Sequence, residues 1–174
     1  MSPNILWLNR SGEKQLEIRR YHEEIDDFRG WDSDEAGYRI AGNIKRLNRN
    51  GITNIQLERC HLVQVNLGGA DLSYANLVHA NLNHAILSYA ILSPADLGYA
   101  DLSGASLFHA DLSGALLDGA NLSGADLRYA NLRDVRLLTN EQLAQAESLI
   151  GATLPDGTVL TEEGSEEFKE RYRK

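Results

Sequence analysis

The sequence contains few candidate catalytic or metal-binding residues, and their spacing suits neither catalysis nor metal binding. Cys60 is the single cysteine, so it has no second thiol for a disulfide or a zinc site. His79 and His84 are five residues apart, which places them on adjacent sides of the repeat described below rather than one above the other. There is no glycine-rich phosphate loop, nucleophile elbow or zinc-protease helix motif. We therefore expect no catalytic residue, no metal site and no cofactor.

Two pairs of neighbouring carboxylates are the remaining candidates for acid–base chemistry. They are Glu23-Glu24 and Asp26-Asp27, and both fall on the polar face of a predicted helix. General acid–base catalysis needs a carboxyl whose pKa is shifted by a cleft around it. The sequence predicts no cleft here, so solvation explains these residues better, and we do not expect an enzyme.

Leucine recurs at every fifth position from Leu57 to Leu137, seventeen times without a break. Two residues before each leucine lies a small residue, which is alanine at every step from Ala70 to Ala130. Neither a helix nor a simple strand has a period of five. If each unit turns a corner, the leucine and the small residue both point inward, and each side pairs its backbone with the coils above and below. Cys60 takes a small inward position, which predicts a buried hydrophobe rather than a reactive thiol.

Read in frame, the unit is Ala-(Asp/Asn)-Leu-x-x, as in Ala-Asp-Leu-Ser-Tyr at 70–74 and Ala-Asn-Leu-Ser-Gly at 120–124. This resembles the A(D/N)LXX motif of the pentapeptide-repeat family, and the resemblance covers about half the chain. It implies an all-β solenoid core, a right-handed quadrilateral β-helix with one pentapeptide per side. The helical N-terminal region and the Leu-Pro-Asp-Gly segment are similar to those of the cyanobacterial-type members.

The chain divides into four predicted regions. Residues 1–51 form an N-terminal helical cap, with an irregular or extended lead over 3–10, a helix from Ser11 to about Phe28, and a second helix from after Ser33 to Asn50-Gly51. Residues 52–138 form the β-helix of about four coils. Residues 139–160 form a C-terminal cap, with a short helix to about Ser148 and an edge strand before a Pro-Asp-Gly turn. Residues 161–174 are a charged tail, mobile or weakly helical.

The net charge of −8 is shared unevenly: 1–51 is neutral, and 52–138 and 139–174 each carry eight acids and four bases. There is no basic patch, which argues against direct nucleic-acid binding. The sequence has no run of 18 apolar residues, no basic amphipathic signature and no signal peptide, so we expect no membrane association. A single cysteine fits a reducing compartment. We expect a cytoplasmic monomer.

A twenty-residue coil sorts the outward positions into columns, and some columns carry aromatic and aliphatic side chains. Ile86 and Ile91 lie on neighbouring sides of one coil with Tyr89 between them. Aromatic residues are enriched at interfaces, although solvated corner residues that lean on the coil are an alternative. Trp7, Tyr21 and Trp31 of the helical region either recruit a partner or cover the first coil. The possible interaction surface consists of Ile86, Tyr89, Ile91, Tyr99, Phe108, His109 and Tyr129.

The function that these features favour is a structural or protein–protein interaction module with an unknown protein partner. The alternative is a DNA mimic acting on DNA gyrase, because family members that protect gyrase are proposed to work in that way. A simpler role for the Asp and Asn columns is that short polar side chains bond neighbouring backbone groups. Glycine at corners such as Gly104 suits a positive φ, whereas Pro94 requires another turn type there.

Overall fold

The computed structural model describes the backbone of residues 3–173 and the side chains of residues 11–173. Between the helical segments the chain forms a solenoid, in which each pentapeptide makes one parallel bridge to the pentapeptide twenty residues later, from Gln56–Asn76 to Leu116–Arg136. Four pentapeptides therefore complete one turn, and we call pentapeptides that stack at this spacing a column. The bridges are isolated, so residues 3–173 contain no continuous strand. The helices are α1 (Pro3–Phe28), α2 (Asp34–Arg49), α3 (Asn140–Ala144) and α4 (Glu162–Tyr172).

The interior of the solenoid is filled by its own aliphatic side chains. All sixteen repeat leucines from Leu57 to Leu132 are at most 1% exposed, and the alanines from Ala70 to Ala130 at most 5%. Each buried leucine contributes about 1.5–3 kcal/mol of transfer free energy, so the core drives the folding of the coil. The inward orientation predicted from the five-residue period is confirmed for these positions.

Leu137 is the exception, and the prediction that it points inward is wrong. Its side chain is 63% exposed and its φ is 58°. Arg136 makes the last bridge at a spacing of twenty, and the chain then turns away towards α3. No further pentapeptide encloses this leucine. The five-residue spacing of leucine therefore extends one leucine further in the sequence than the buried core does in the structure.

A pentapeptide without proline has five backbone amides, and an Asp or Asn in its second position allows all five to be bonded. In the repeat 100–104, the first amide closes the corner and three others bond carbonyls of adjacent turns. The remaining amide, that of Ser103, donates to the Asp101 carboxylate at 3.0 Å. The four backbone bonds are Ala100 to Leu97 (3.0 Å), Asp101 to Ala80 (2.9 Å), Leu102 to Asn121 (2.9 Å) and Gly104 to Ser123 (2.9 Å). The expectation that Asp and Asn bond neighbouring backbone is confirmed.

The fifth residue of each pentapeptide, the corner residue, generally has a positive φ. This holds for glycines such as Gly104 (φ 65°) and also for tyrosine and histidine residues such as Tyr89 (φ 61°). The corner at Pro94 differs: Pro94 has no positive φ, and the Tyr74 amide bonds the Pro94 carbonyl twenty residues away, whereas the other bonded corner amides up to Gly114 reach a carbonyl nineteen residues away. The prediction that Pro94 requires another turn type is confirmed.

The N-terminal helices differ from the prediction in one boundary. Helix α1 begins at Pro3 and not at Ser11, so the prediction of an irregular lead over 3–10 is wrong. Proline suits the first helical turn, and the next strong stop is Gly30 (φ 79°). The side chain of Trp7 lies outside the described residues. Helix α2 begins after Ser33 as predicted, the Ser33 side chain caps it, and it buries Ile40, Ile44 and Leu47 completely.

Side chains of the N-terminal helices bond the free edge of the first turn. The Asn48 carboxamide pairs with both backbone groups of Asp71: Nδ2 donates to the carbonyl at 2.7 Å, and Oδ1 accepts from the amide at 2.9 Å. Arg29 donates to the Gln56 carbonyl at 3.1 Å. These bonds replace those that a preceding turn would make, so this end of the solenoid is closed.

The C-terminal end is closed in the same way by α3. Thr139 and Gln142 form a reciprocal capping box, and the Gln142 Nε2 donates to the carbonyls of Leu117 (3.1 Å) and Ala120 (2.8 Å). The predicted edge after this helix is present, because Asp126 and Asn131 bridge Ser148 and Thr153. The bridge spacing is 22 residues there, which accommodates the helix. Helix α3 ends at Ala144, before the predicted Ser148.

The charged segment 161–174 contains α4, a more regular element than the weak helicity that the composition predicts. Thr161 caps it, and its charged residues other than Lys169 are exposed. Ser165 and Lys169 are buried against the last turn, where the Lys169 ammonium donates to the Glu147 carbonyl at 2.8 Å. A few inward contacts therefore suffice to position a helix of otherwise polar composition.

We predict that replacing Asp101 with alanine lowers the free energy of unfolding by about 1–3 kcal/mol, since the Ser103 amide then loses its acceptor. Asp101→Asn should cost much less, because asparagine serves at the equivalent positions Asn81 and Asn121. Urea denaturation of both variants measures the difference. Equal losses for the two variants would show that the carboxylate acts through its charge or packing.

We predict that Gln142→Glu destabilises the C-terminal turn by about 1–3 kcal/mol. Glutamate keeps the acceptor for the Thr139 amide, but it replaces the donor to Leu117 and Ala120 with a negative charge against two carbonyls. Gln142→Met, which removes the polar group altogether, is the comparison, and thermal denaturation is the measurement. A Gln142→Glu variant as stable as the wild type would contradict this role.

Candidate interaction surface

One corner of the solenoid carries a continuous stack of aromatic rings. Tyr89, His109 and Tyr129 are corner residues of one column, and their ring centroids are 5.2 and 4.9 Å apart. The ring planes are within 8° and 10° of parallel. Because Tyr89 and Tyr129 are 60% and 50% exposed, the stack presents much of its area to solvent.

Phe108 lies beside this stack and contacts it edge to face. Its ring centroid is 4.4 Å from that of His109, 5.7 Å from that of Tyr89 and 5.8 Å from that of Tyr129. Edge-to-face pairs of this kind contribute about 0.5–1.5 kcal/mol each beyond their buried area. The four rings therefore stabilise one another, and we call Tyr89, Phe108, His109 and Tyr129 the aromatic edge.

The left-handed backbone at the corners aims each ring along the column, over the corner residue of the next turn. A non-glycine residue in this conformation costs about 1–2 kcal/mol, which ring contacts help to offset. Where the next corner residue is glycine, the ring fills the space of its missing side chain: a Cβ on Gly119 would lie 2.6 Å from the Tyr99 ring. The aromatic edge ends in the same way, with the Tyr129 ring lying over Gly151.

Arg128 and Asp126 flank the aromatic edge, and the sequence reasoning did not single them out. The Arg128 Nε and Nη2 donate to the two carboxylate oxygens of Asp126 at 2.9 and 2.7 Å. The same guanidinium lies 5.5 Å from the centroid of the Phe108 ring. The bond from Arg128 lowers the pKa of the Asp126 carboxyl below its ordinary value. The sequence feature that could have indicated this ion pair is an arginine two residues after the Asp of its repeat.

Ile86 and Ile91 occupy the second position of their pentapeptides, where most repeats have Asp or Asn. Both keep their ladder bridges, Ile86 with Asn66 and Ile91 with Asp71. Their side chains are 43% and 41% exposed, on the two columns that meet at Tyr89. Each isoleucine removes the acceptor that an Asp or Asn would offer to the amide two residues later.

Tyr99 does not join this group, although the sequence prediction includes it. It lies two columns away from Tyr89 and stacks with His79, with 5.2 Å between ring centroids. The neighbouring Asp118 carboxylate raises the pKa of Tyr99 above its ordinary value. The structure therefore brings six of the seven predicted residues to one corner and places the seventh elsewhere.

The other residues considered for chemistry occupy ordinary structural positions. Cys60 is fully buried, and its burial raises the pKa of the thiol to about 11. In the part of the chain that the structure describes, no three metal-ligating side chains are grouped. None of the helices described is both long and apolar enough to cross a membrane.

A solenoid with a leucine core, Asp/Asn-bonded edges and helical caps at both ends belongs to the class of short-repeat proteins. Eight copies of the model described as "Pentapeptide repeats" match residues 52–88 and 100–137. The chain belongs to the pentapeptide repeat family. None of the curated proteins is similar enough to match.

Among solved structures, the chain is similar to cyanobacterial pentapeptide repeat proteins. The protein alr5209 from Nostoc PCC 7120 is 35% identical over 55% of this chain and 74% of its own, with a TM-score of 0.33. HetL, a protein involved in heterocyst differentiation regulation in Nostoc sp. strain PCC 7120, is 39% identical over 63% and 51%, with a TM-score of 0.30. Rfr23 from Cyanothece 51142 is 36% identical over 59% and 65%, with a TM-score of 0.31. The chain spans about half the length of HetL and 65% of Rfr23.

We predict that the Asp126 carboxyl titrates below its ordinary pKa and that Arg128→Ala raises the pKa towards that value, while the amide of residue 128 keeps its bond to the carboxylate. Because the folded-state pKa is lowered, the pair stabilises the fold above the ordinary carboxyl pKa, and this contribution is lost as the pH falls through the lowered value. A pH titration of the side-chain carboxyl carbon by NMR measures both. An unchanged pKa in the variant would contradict the assignment.

Proposed function

We propose that this protein is a non-enzymatic, cytoplasmic module that binds a protein partner through the aromatic edge together with Ile86 and Ile91. The proposal takes the solenoid as an all-β, right-handed coil of square section, as the family resemblance implies. Such a module offers a rigid surface and needs no cofactor.

The proposal rests on one observation at Ile86 and Ile91. Each exposes an apolar side chain at a position where most repeats have an Asp or Asn that bonds a backbone amide. Both residues occupy positions where Asp or Asn stabilises the coil, as Asp101 and Asp111 do. They lie on the two columns that meet at the Tyr89 corner, so both exposed isoleucines are on faces that flank the stacked rings. Contiguous exposed patches of this kind mark interaction sites, whereas isolated apolar residues do not.

The gyrase-directed DNA mimic is an alternative that no specific observation favours. The carboxylates of Asp71, Asp101 and Asp111 accept bonds from their own repeats, which limits their freedom to imitate phosphates. Helices close both ends of the solenoid. A supercoiling assay with no inhibition or protection at high protein concentration would remove the alternative, and light scattering should find the expected monomer.

We predict that Ile86→Asn and Ile91→Asn stabilise the coil by about 0.5–1.5 kcal/mol each, because asparagine restores an acceptor for the amides of Ser88 and Ser93. The same changes should abolish partner binding. Urea denaturation and a pull-down from an extract of the source cells measure the two effects. A variant that is stabilised and still retains the partner would sink the proposal.

A matched pair of substitutions controls for non-specific loss of binding. Phe108→Ser removes the ring beside His109 and introduces the residue that already occupies this position in Ser103 and Ser113. Val78→Ser makes an equivalent apolar-to-serine change at the same repeat position of another column. We expect a partner retained by the wild type and by Val78→Ser, and lost by Phe108→Ser.

A further inference from the structure

A second surface feature lies on the helical cap, away from the aromatic edge. Helices α1 and α2 pack against each other and leave an open cleft of about 520 Å³ between them. We call it the helical cleft. Its walls carry the side chains of Arg20, Tyr21, Tyr38, Arg39 and Arg46.

The cations of the helical cleft exceed its anions. Three arginines face two glutamates, Glu24 and Glu35, which leaves one positive charge in a protein of net charge −8. Arg39 is held by Glu35 at 3.0 Å, but Arg20 and Glu24 are 4.0 Å apart and exposed. Exposed pairs at that distance contribute little.

Arg46 is the arginine of the cleft whose charge is available to bind an anion. Its Nη1 donates to a neutral acceptor, the Asn43 Oδ1, at 2.8 Å. Among residues 11–173, no carboxylate lies within 4.0 Å of its guanidinium. Asn43 is fully buried and donates in turn to Glu24 at 2.9 Å, so this bond fixes the arginine in place.

Two of the guanidiniums contact the Tyr21 ring. Arg20 and Arg46 lie 5.5 and 5.7 Å from the centroid of this ring. An aromatic face attracts cations, so the ring helps to position both arginines. An arginine whose plane is fixed in this way is well suited to bind a carboxylate with paired donors.

Gly42 forms the floor of the cleft, and packing does not explain it. A glycine inside a helix costs about 1 kcal/mol relative to alanine. At Gly37 close packing requires it, because a Cβ would lie 2.8 Å from the His61 carbonyl. At Gly42 a Cβ would meet only the Arg46 guanidinium at 3.7 Å, an ordinary contact. The missing side chain leaves room at the floor for an incoming group.

We propose that the helical cleft binds an acidic segment of a partner protein, with a carboxylate on Arg46 and Arg20 and the segment lying over Gly42 beside Tyr38. The cleft is partly open to solvent, which suits a segment of a partner protein more than an enclosed small molecule. Its excess positive charge within an acidic protein selects an anionic occupant over a cationic one.

The test uses a fluorescein-labelled peptide of alternating Glu and Leu and its Gln-for-Glu counterpart, titrated with the full chain at low salt. Fluorescence anisotropy should show the Glu peptide binding at least ten times more tightly than the Gln peptide. Arg46→Gln should weaken binding of the Glu peptide at least fivefold. Arg49→Gln, which removes an equal charge from the same helix outside the cleft, should change it less than twofold.

Gly42→Ala separates a loss of binding from a loss of folding, because this variant should be at least as stable as the wild type. Alanine should raise the thermal midpoint of unfolding, because it favours the helix, while it weakens peptide binding at least threefold. Equal effects of Arg46→Gln and Arg49→Gln, or no binding, would overturn the proposal. So would salt-sensitive self-association that Arg46→Gln abolishes, since the occupant would then be the acidic α4 of a second copy. Phe108→Ser should leave peptide binding intact, which separates this site from the aromatic edge.

Discussion

The structure depends on one constraint, which is that the backbone amides of a pentapeptide need acceptors although the chain turns a corner every five residues. Bonds to adjacent turns and across the corner account for four amides, and the fifth lies at a position that the ladder does not reach. The Asp or Asn before the leucine supplies its acceptor, as Asp101 does for Ser103. The motif therefore combines a buried leucine, a small residue that allows close packing, and a polar side chain that completes the backbone bonding.

The same requirement explains the two ends. A solenoid exposes unpaired backbone groups at its first and last turns, which invites edge-to-edge association. Here, carboxamide side chains take the place of the absent turns: Asn48 pairs with Asp71 at one end, and Gln142 bonds Leu117 and Ala120 at the other. The helices that carry these side chains also cover the leucine core. Capping is thus as much a matter of hydrogen bonding as of burial.

The sequence predicts the repeated part of the fold because that part is periodic. The core positions, the corner glycines, the exception at Pro94 and the start of α2 after Ser33 all follow from local rules. The start of α1 and the fate of Leu137 do not, because each depends on where neighbouring chain lies. The surface shows the same limit. The twenty-residue period places Tyr89, His109 and Tyr129 in one column. The role of Arg128 and the cleft around Arg46 depend instead on side-chain geometry, which residue spacing does not predict.

The two candidate surfaces depart from this regularity in a similar manner. Ile86 and Ile91 lack the side-chain acceptor that Asp or Asn would provide, and Gly42 lowers the helix propensity of α2, each without a gain in packing.

Residue-resolved amide hydrogen exchange directly tests whether the backbone amides of a pentapeptide depend on the Asp or Asn acceptor. The account predicts strong protection of Ser103, whose amide has a side-chain acceptor, and clearly faster exchange of Ser88 and Ser93 in the same solenoid. Equal protection of all three amides would contradict it.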